Sequence, residues 1–228
     1  MHSDQPIRSQ HSDFSSDERD ALYRVMAERR DMRHFLPGQR VPDEVMLRLL
    51  QAAHRAPSVG LMQPWRLLRI TSPELRQALV TLVEEERQAT AEAMGKRSEE
   101  FLRLKVEGLR DCAELLVAVL APDDGTVFGR RTMPRDMAVC SVACAIQNLW
   151  LAARAENLGM GWVSMFDPAR VRGLLQLPEA ADPLALLCIG PVPAFYEKPM
   201  LELEGWRYGR PLDDFAFTDR WPAASAAD

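Results

Sequence analysis

A cluster of basic side chains near the start of the chain could bind a phosphate group. Residues 29–33 read Arg-Arg-Asp-Met-Arg, which places three guanidinium groups within five residues. A planar guanidinium binds a phosphate monoester through paired, charge-assisted hydrogen bonds. From charge alone, a solvated basic turn that pairs with the Glu-rich segment 84–86 is the favoured interpretation.

A second candidate segment could contact the polar edge of a heterocycle. Residues 56–65 read Ala-Pro-Ser-Val-Gly-Leu-Met-Gln-Pro-Trp and join a predicted helix to a predicted strand. Two prolines make such a loop rigid, and its backbone amides and the Gln63 carboxamide can donate or accept hydrogen bonds. Taken alone, an ordinary helix-to-strand connection explains the segment equally well.

A third segment contains two glycines, at positions 159 and 161, in Leu-Gly-Met-Gly-Trp-Val-Ser. The dinucleotide-binding pattern needs a strand before Gly-x-Gly-x-x-Gly and a helix after it, whereas this order is helix, glycines, strand. We interpret it as a backbone turn that approaches a ligand. The four histidines, at positions 2, 11, 34 and 54, lack metal-ligand spacing, so no metal site is predicted.

Composition limits the class of protein. A chain of 228 residues that is 47% hydrophobic can form one domain, and a net charge of −5 argues against a nucleic-acid partner. No uninterrupted apolar run has the length of a membrane span, and the N-terminus has no apolar signal core, so we expect a soluble cytoplasmic protein. The four cysteines are interpreted as reduced thiols, with Cys140 and Cys144 packed in the interior.

Hydrophobic periodicity predicts the elements that position these segments. Ser15 with Glu18 forms a capping-box pattern at the start of the first helix, which continues to Arg29. Further helices are predicted over 43–56, 73–109 with Gly95 as a candidate break, 134–157 and 168–177. Strands are predicted over 65–70, 114–120, 161–165 and 184–189.

The predicted helix 134–157 is apolar almost all round, so it must be buried within one chain or against a partner subunit. Gly159 is predicted to terminate it as a C′ residue. Residues 1–13 lack hydrophobic period and are expected to form a flexible arm. From Pro191 onward five prolines predict an extended arm that lies over another surface.

In this order the three segments resemble the FMN-dependent nitroreductase-like family, in which an Arg-rich motif, a Pro-Ser loop and a helix–Gly–strand turn surround one flavin. The resemblance covers about residues 14 to 221. The family's usual first motif is Arg-Arg-Ser-x-Arg, and Asp31 stands where Ser is expected. With this substitution, and with segments 128–132, 146–162 and 203–206, the chain is similar to the 5,6-dimethylbenzimidazole synthase branch of the family.

The resemblance implies an α+β nitroreductase-like fold, with a central antiparallel sheet flanked by helices. It implies one domain over residues 14–228 and an intertwined homodimer with a site at each end of the interface. The C-terminal arm, residues 191–228, would lie over the partner subunit.

The implied reaction is the oxygen-dependent fragmentation of reduced FMN. Its products would be 5,6-dimethylbenzimidazole, the lower ligand of cobalamin (vitamin B12), and erythrose 4-phosphate. Reduced FMN would be the substrate, dioxygen the co-substrate, and a separate flavin reductase the source. The alternatives are an NAD(P)H-dependent FMN nitroreductase or quinone reductase, and a non-catalytic flavin-binding protein.

The resemblance also implies roles for individual residues. Asp31 would be a general base and Ser164 a hydrogen-bond relay. Pro57, Ser58 and Gln63 would face the flavin ring from the second subunit. The full set of implied flavin-binding residues is Arg29, Arg30, Asp31, Met32, Arg33, Pro57, Ser58, Gln63, Leu104, Ser164 and, as a tail contact to phosphate, Arg210.

Overall fold

The fold, described by a computed structural model over residues 13–126 and 134–221, is a four-stranded antiparallel sheet with helices on both faces. The strand order is β1-β2-β4-β3. The strands are β1 (Trp65–Arg69), β2 (Glu114–Leu120), β3 (Gly159–Val163) and β4 (Asp182–Gly190). The helices are α1 (Ser16–Glu28), α2 (Asp43–His54), α3 (Pro73–Ala93), α4 (Ser98–Arg103), α5 (Pro134–Ala155), α6 (Pro168–Leu174) and α7 (Met200–Leu203).

The two central strands, β2 and β4, carry near-continuous apolar runs because helices cover both of their faces. Alternate β2 side chains belong to different cores. Leu116 and Ala118 pack with α2 and α5, whereas Leu115 and Val117 pack with α3 and α6. The antiparallel fold class predicted from the sequence is confirmed.

Several local predictions are confirmed. Ser15 and Glu18 form the capping box of α1, and β2 has the predicted bounds. The helix predicted over 73–109 was wrong in its extent, whereas its candidate break at Gly95 is confirmed. The α-helix ends at Ala93, a 3-10 turn follows, and the separate helix α4 ends at Arg103. The interruption occurs because Gly95 adopts a left-handed φ of 56°, which breaks the pattern of α-helical hydrogen bonds.

The end of α5 corrects another prediction. Gly159 is not the C′ residue; Asn157 takes the left-handed conformation, with φ of 57°. The amide of Leu158 donates to the Ala153 carbonyl at 2.8 Å and that of Asn157 to the Arg154 carbonyl at 3.0 Å, which is the Schellman pattern. Gly159 is therefore free to begin β3, two residues earlier than predicted.

One face of α5 is open in the single chain. Cys140 and Cys144 are exposed on it, so their predicted packing in the interior is wrong for one subunit. By length and apolar composition alone, Arg135–Ala155 could cross a membrane, although 44% of its most apolar window is buried in the domain. Its opposite face packs on α2 and the sheet, as expected of a core helix.

The proline-rich tail is not wholly extended. It contains α7, and Trp206 lies with its ring 6.1 Å from that of Phe101 and under the guanidinium of Arg97 at 3.7 Å. This part of the arm thus contacts its own chain. The Phe-Gly-Arg-Arg-Thr segment 128–132, the first 12 residues of the N-terminal arm and residues 222–228 lie outside the described residues.

Candidate active site

The Arg-rich segment lies along the outer edge of β3, so the first and third sequence motifs form one site. Asp31 makes a parallel bridge with Met160, and the Met32 amide donates to the Met160 carbonyl at 2.9 Å. Met32 is fully buried. Segments separated by more than 120 residues are thus joined through backbone hydrogen bonds.

Gly161 makes this close approach possible. A Cβ atom at this position would lie 2.3 Å from the Met32 carbonyl oxygen and 2.9 Å from Nη1 of Arg33. Only a residue without a side chain allows the two backbones to meet. The ligand-approaching turn predicted from the glycines is therefore, in the single chain, an approach between β3 and segment 29–33.

The Asp31 carboxylate is held by two donors. Oδ1 accepts the Trp162 amide at 2.9 Å, and Oδ2 accepts Nη2 of Arg33 at 2.5 Å. Removal from water raises the pKa of Asp31, and the Arg33 charge, the Trp162 amide and Arg29 oppose that rise. Because 42% of the side-chain surface remains open, water still reaches the carboxylate in the single chain.

The direction of this pKa shift predicts how stability depends on pH. Since burial raises the pKa of Asp31 in the folded state, the contribution of Asp31 to stability should fall as pH rises from about 4 through that raised pKa. Asp31→Asn removes the titration. The difference in free energy of unfolding between variant and parent should therefore move in favour of the variant across this window, as measured by urea unfolding.

The opposite trend, with the variant losing ground as pH rises, would contradict the prediction. It would mean that the ion pair with Arg33 outweighs the cost of burial.

The three arginines of the segment have different environments. Arg33 is buried, and its Nη2 also donates to the Trp162 carbonyl at 2.9 Å, while its Nε and Nη1 are buried without a partner in the described residues. Nη2 of Arg33 alone links Asp31 to β3. In the single chain Arg33 is thus committed to the protein more than to a ligand.

Arg30 is likewise used within the chain. Its Nη1 donates to the carbonyls of Ala27 and Arg29, at 2.6 and 2.8 Å, and its Nη2 donates to the Glu197 carbonyl at 3.0 Å. Arg29 differs, because its guanidinium lies 4.5 Å from the centre of the Trp150 ring. Within residues 13–126 and 134–221, its side chain makes no hydrogen bond to protein.

The Pro-Ser loop is rigid and strained. Ser58 Oγ accepts the Gln63 amide at 3.1 Å, while Gly60, Leu61 and Gln63 all have positive φ, of 55°, 54° and 43°. Two non-glycine residues in the left-handed region cost about 1–3 kcal/mol each, which is typical of ligand-binding loops. Pro57 precedes this loop directly.

The loop and the Arg-rich segment contact different parts of α5. The Val59 amide donates to Ser141 Oγ at 3.2 Å, whereas Arg29 lies against Trp150. Nine residues of helix separate these contacts, or about 13 Å along the axis. One chain therefore does not bring Ser58 and Gln63 into contact with segment 29–33.

The remaining predicted residues come from three other parts of the chain. Ser164 is exposed just beyond β3, two residues after Trp162. Leu104 is buried in a small cluster that includes Met165, the neighbour of Ser164. Arg210 is exposed on the tail and does not join the site within one chain.

Similarity to known proteins shows the family of this chain. Residues 26–191 match the nitroreductase family. The chain belongs to this family. A protein of known structure, a BluB-like flavoprotein from Clostridium difficile 630, superposes with a TM-score of 0.68 at 17% identity, over 87% of this chain and 99% of the other chain. That likeness supports the fold.

Nitroreductase-family relatives are also similar in sequence over almost their full length. A 5,6-dimethylbenzimidazole synthase from Rhodobacter capsulatus is 42% identical over 205 residues, which cover 88% of this chain and 97% of the relative. Another from Rhodospirillum rubrum is 40% identical over 202 residues, with 87% and 94% coverage.

No group of three potential metal ligands occurs in the described parts of this nitroreductase-family chain.

The site also contains residues that sequence reasoning missed. The Tyr196 hydroxyl accepts the Arg33 amide at 3.2 Å and lies 2.6 Å from Nδ1 of His34. Trp150 is both buried and in contact with Arg29. An aromatic residue in a proline-rich tail carries no signal of its partner, so only the tertiary structure assigns these contacts.

Proposed function

We propose that this protein is a 5,6-dimethylbenzimidazole synthase that converts reduced FMN and dioxygen into 5,6-dimethylbenzimidazole and erythrose 4-phosphate. The observation that carries the proposal is Asp31, a partly buried carboxylate that replaces the family's usual Ser and whose pKa is raised by burial. The charge of a carboxylate beside a phosphate-binding motif is electrostatically unfavourable, so its presence there indicates a chemical role. The two similar synthases support the same conclusion.

The described residues fit a flavin phosphate. The Arg29 guanidinium lies over the Trp150 ring and makes no hydrogen bond to protein within the described residues, and it would take the phosphate in a paired contact. Arg33 and Arg30 would contribute positive potential and, through their bonds to β3 and the tail, hold segment 29–33 in place. Arg210 would join them once the arm is positioned by the dimer.

The ring would be enclosed by both subunits. The loop that contains Pro57, Ser58 and Gln63 contacts α5 at Ser141, whereas the Arg-rich segment of the same chain contacts α5 at Trp150. This separation supports the proposal that the loop faces the ring bound by the other subunit. Leu104 would pack near the ring from the side of Ser164. Enclosure excludes water from the reacting atoms.

Proton transfer would be the task of the chain's own residues. Reduced FMN supplies the electrons for dioxygen and is itself the molecule that is cleaved. A raised pKa moves Asp31 closer to the operating pH, where a carboxylate is an effective general base for a proton released as the ribityl chain is cut. Ser164, two residues beyond Trp162, would relay protons by its hydroxyl.

The test is the reaction itself. Purified protein mixed with chemically reduced FMN in air should give dimethylbenzimidazole and erythrose 4-phosphate, separated by chromatography, and should oxidise NADPH alone very slowly. Rapid NADPH oxidation with a nitroaromatic acceptor and no benzimidazole would instead support a nitroreductase. Binding of FMN with no product would support a flavin-binding protein.

We further propose that residues 14–228 form one domain that works as a cytoplasmic homodimer, supplied with reduced FMN by a separate reductase. The open face of α5, with Cys140 and Cys144, would be covered by the second subunit. Sedimentation should therefore show a dimer of the 25.7 kDa chain. Cys144→Glu should shift it towards monomer, whereas Ala89→Glu, on the exposed surface of α3, should not. A well-behaved parent monomer would contradict this prediction.

A further inference from the structure

One aromatic side chain connects the core helix to both functional parts of segment 29–33. Trp150 is on α5, and only 9% of its surface is exposed. Its Nε1 donates to the Arg30 carbonyl at 3.2 Å. That hydrogen bond fixes the orientation of the indole. One face of the ring is then directed at the Arg29 guanidinium, 4.5 Å from the ring centre.

The same indole also lies against the Asp31 side of the site. Its ring is 6.4 Å from that of Trp162, with the planes inclined by 40°. Trp162 supplies the backbone amide that binds Asp31 Oδ1. Trp150 therefore contacts Arg29, the proposed phosphate-binding residue, and Trp162, whose amide binds Asp31.

A cation held on an aromatic face keeps its N–H groups available. The attraction acts on the charge above the ring and uses none of the guanidinium donors, unlike the carbonyl contacts of Arg30. An arginine bound in this way loses little donor capacity and starts from a restricted set of rotamers. Both effects favour capture of a phosphate monoester.

We propose that Trp150 is a positioning residue that presents the Arg29 guanidinium to the phosphate of the ligand. The inference rests on the proposed function only in that FMN is the ligand. Its consequence is specific to the phosphate, because Trp150 acts through Arg29 and not through the flavin ring. Loss of Trp150 should therefore weaken binding of FMN far more than binding of riboflavin.

The experiment measures the affinities of oxidised FMN and riboflavin by flavin fluorescence, with no turnover required. Trp150→Leu should lower the ratio of FMN affinity to riboflavin affinity by about tenfold, in the range of a partly desolvated cation–π contact. Trp150→Phe loses the Nε1–H donor and the second ring of the indole but keeps an aromatic face for Arg29, so its ratio should stay within about threefold of the parent.

A control separates positioning from stability. Leu149 is a fully buried neighbour on the same helix, and Leu149→Ala should lower the melting temperature while leaving the affinity ratio unchanged. The proposal is overturned if Trp150→Leu keeps the parental ratio, if Trp150→Phe loses as much as Trp150→Leu, or if Leu149→Ala changes the ratio equally. A parent that binds neither flavin would instead refute the proposed function.

Discussion

Asp31→Asn should lower the rate of dimethylbenzimidazole formation by about 10²–10⁴-fold, the range for loss of a general base. Asparagine keeps the size of the side chain, and its carbonyl oxygen can still accept the Trp162 amide. FMN binding should therefore survive, and it should tighten if the Asp31 charge repels the phosphate. The measurements are single-turnover product formation and FMN affinity on the same sample.

Two variants sharpen this test. Asp43→Asn makes the same chemical change at an exposed carboxylate, near Arg69 at 3.4 Å, and should leave the rate unchanged. Ser164→Ala should allow reduced flavin to be oxidised while less benzimidazole is released. A parental rate in Asp31→Asn, or a loss of rate explained by loss of FMN binding, would refute the role of Asp31.

Arg29→Ala should weaken FMN binding by about ten- to a hundredfold, since one charge-assisted contact to a dianion contributes about 1.5–3 kcal/mol. Arg29 is chosen over Arg30 and Arg33 because its guanidinium makes no hydrogen bond to the protein within the described residues, whereas each of theirs makes at least two. Riboflavin, which lacks the phosphate, should bind poorly to the parent and almost equally to the variant. Equilibrium titration of both flavins measures the effect.

Arg24→Ala is the matched control, because Arg24 is an exposed arginine on α1 and its removal changes the net charge equally. A loss of FMN affinity in both variants would assign the effect to the overall field of the protein. Unchanged FMN affinity in Arg29→Ala would mean that segment 29–33 is a solvated basic turn, which is the interpretation that charge alone favours.

Much of this protein could be predicted from its sequence because the signals are local. The capping box of α1 needs only Ser15 and Glu18, and β2 is apparent from a run of apolar residues between turn formers. The three motifs were also sufficient to indicate the family, which the comparisons confirm. The capping pattern depends on neighbouring side chains, and a motif match needs only residue types in order.

Contacts between distant segments were decided by the tertiary structure. The sequence around Gly161 predicts a turn that approaches a ligand, whereas in the structure Gly161 lies against the Met32 carbonyl. Asn157 takes the C′ position that Gly159 was expected to fill. Three arginines look equivalent in sequence, yet burial against β3 commits Arg33 while an indole on α5 leaves Arg29 its donors. Residue type determines what a side chain can bond, whereas long-range packing determines which partners it meets and which of its groups remain available.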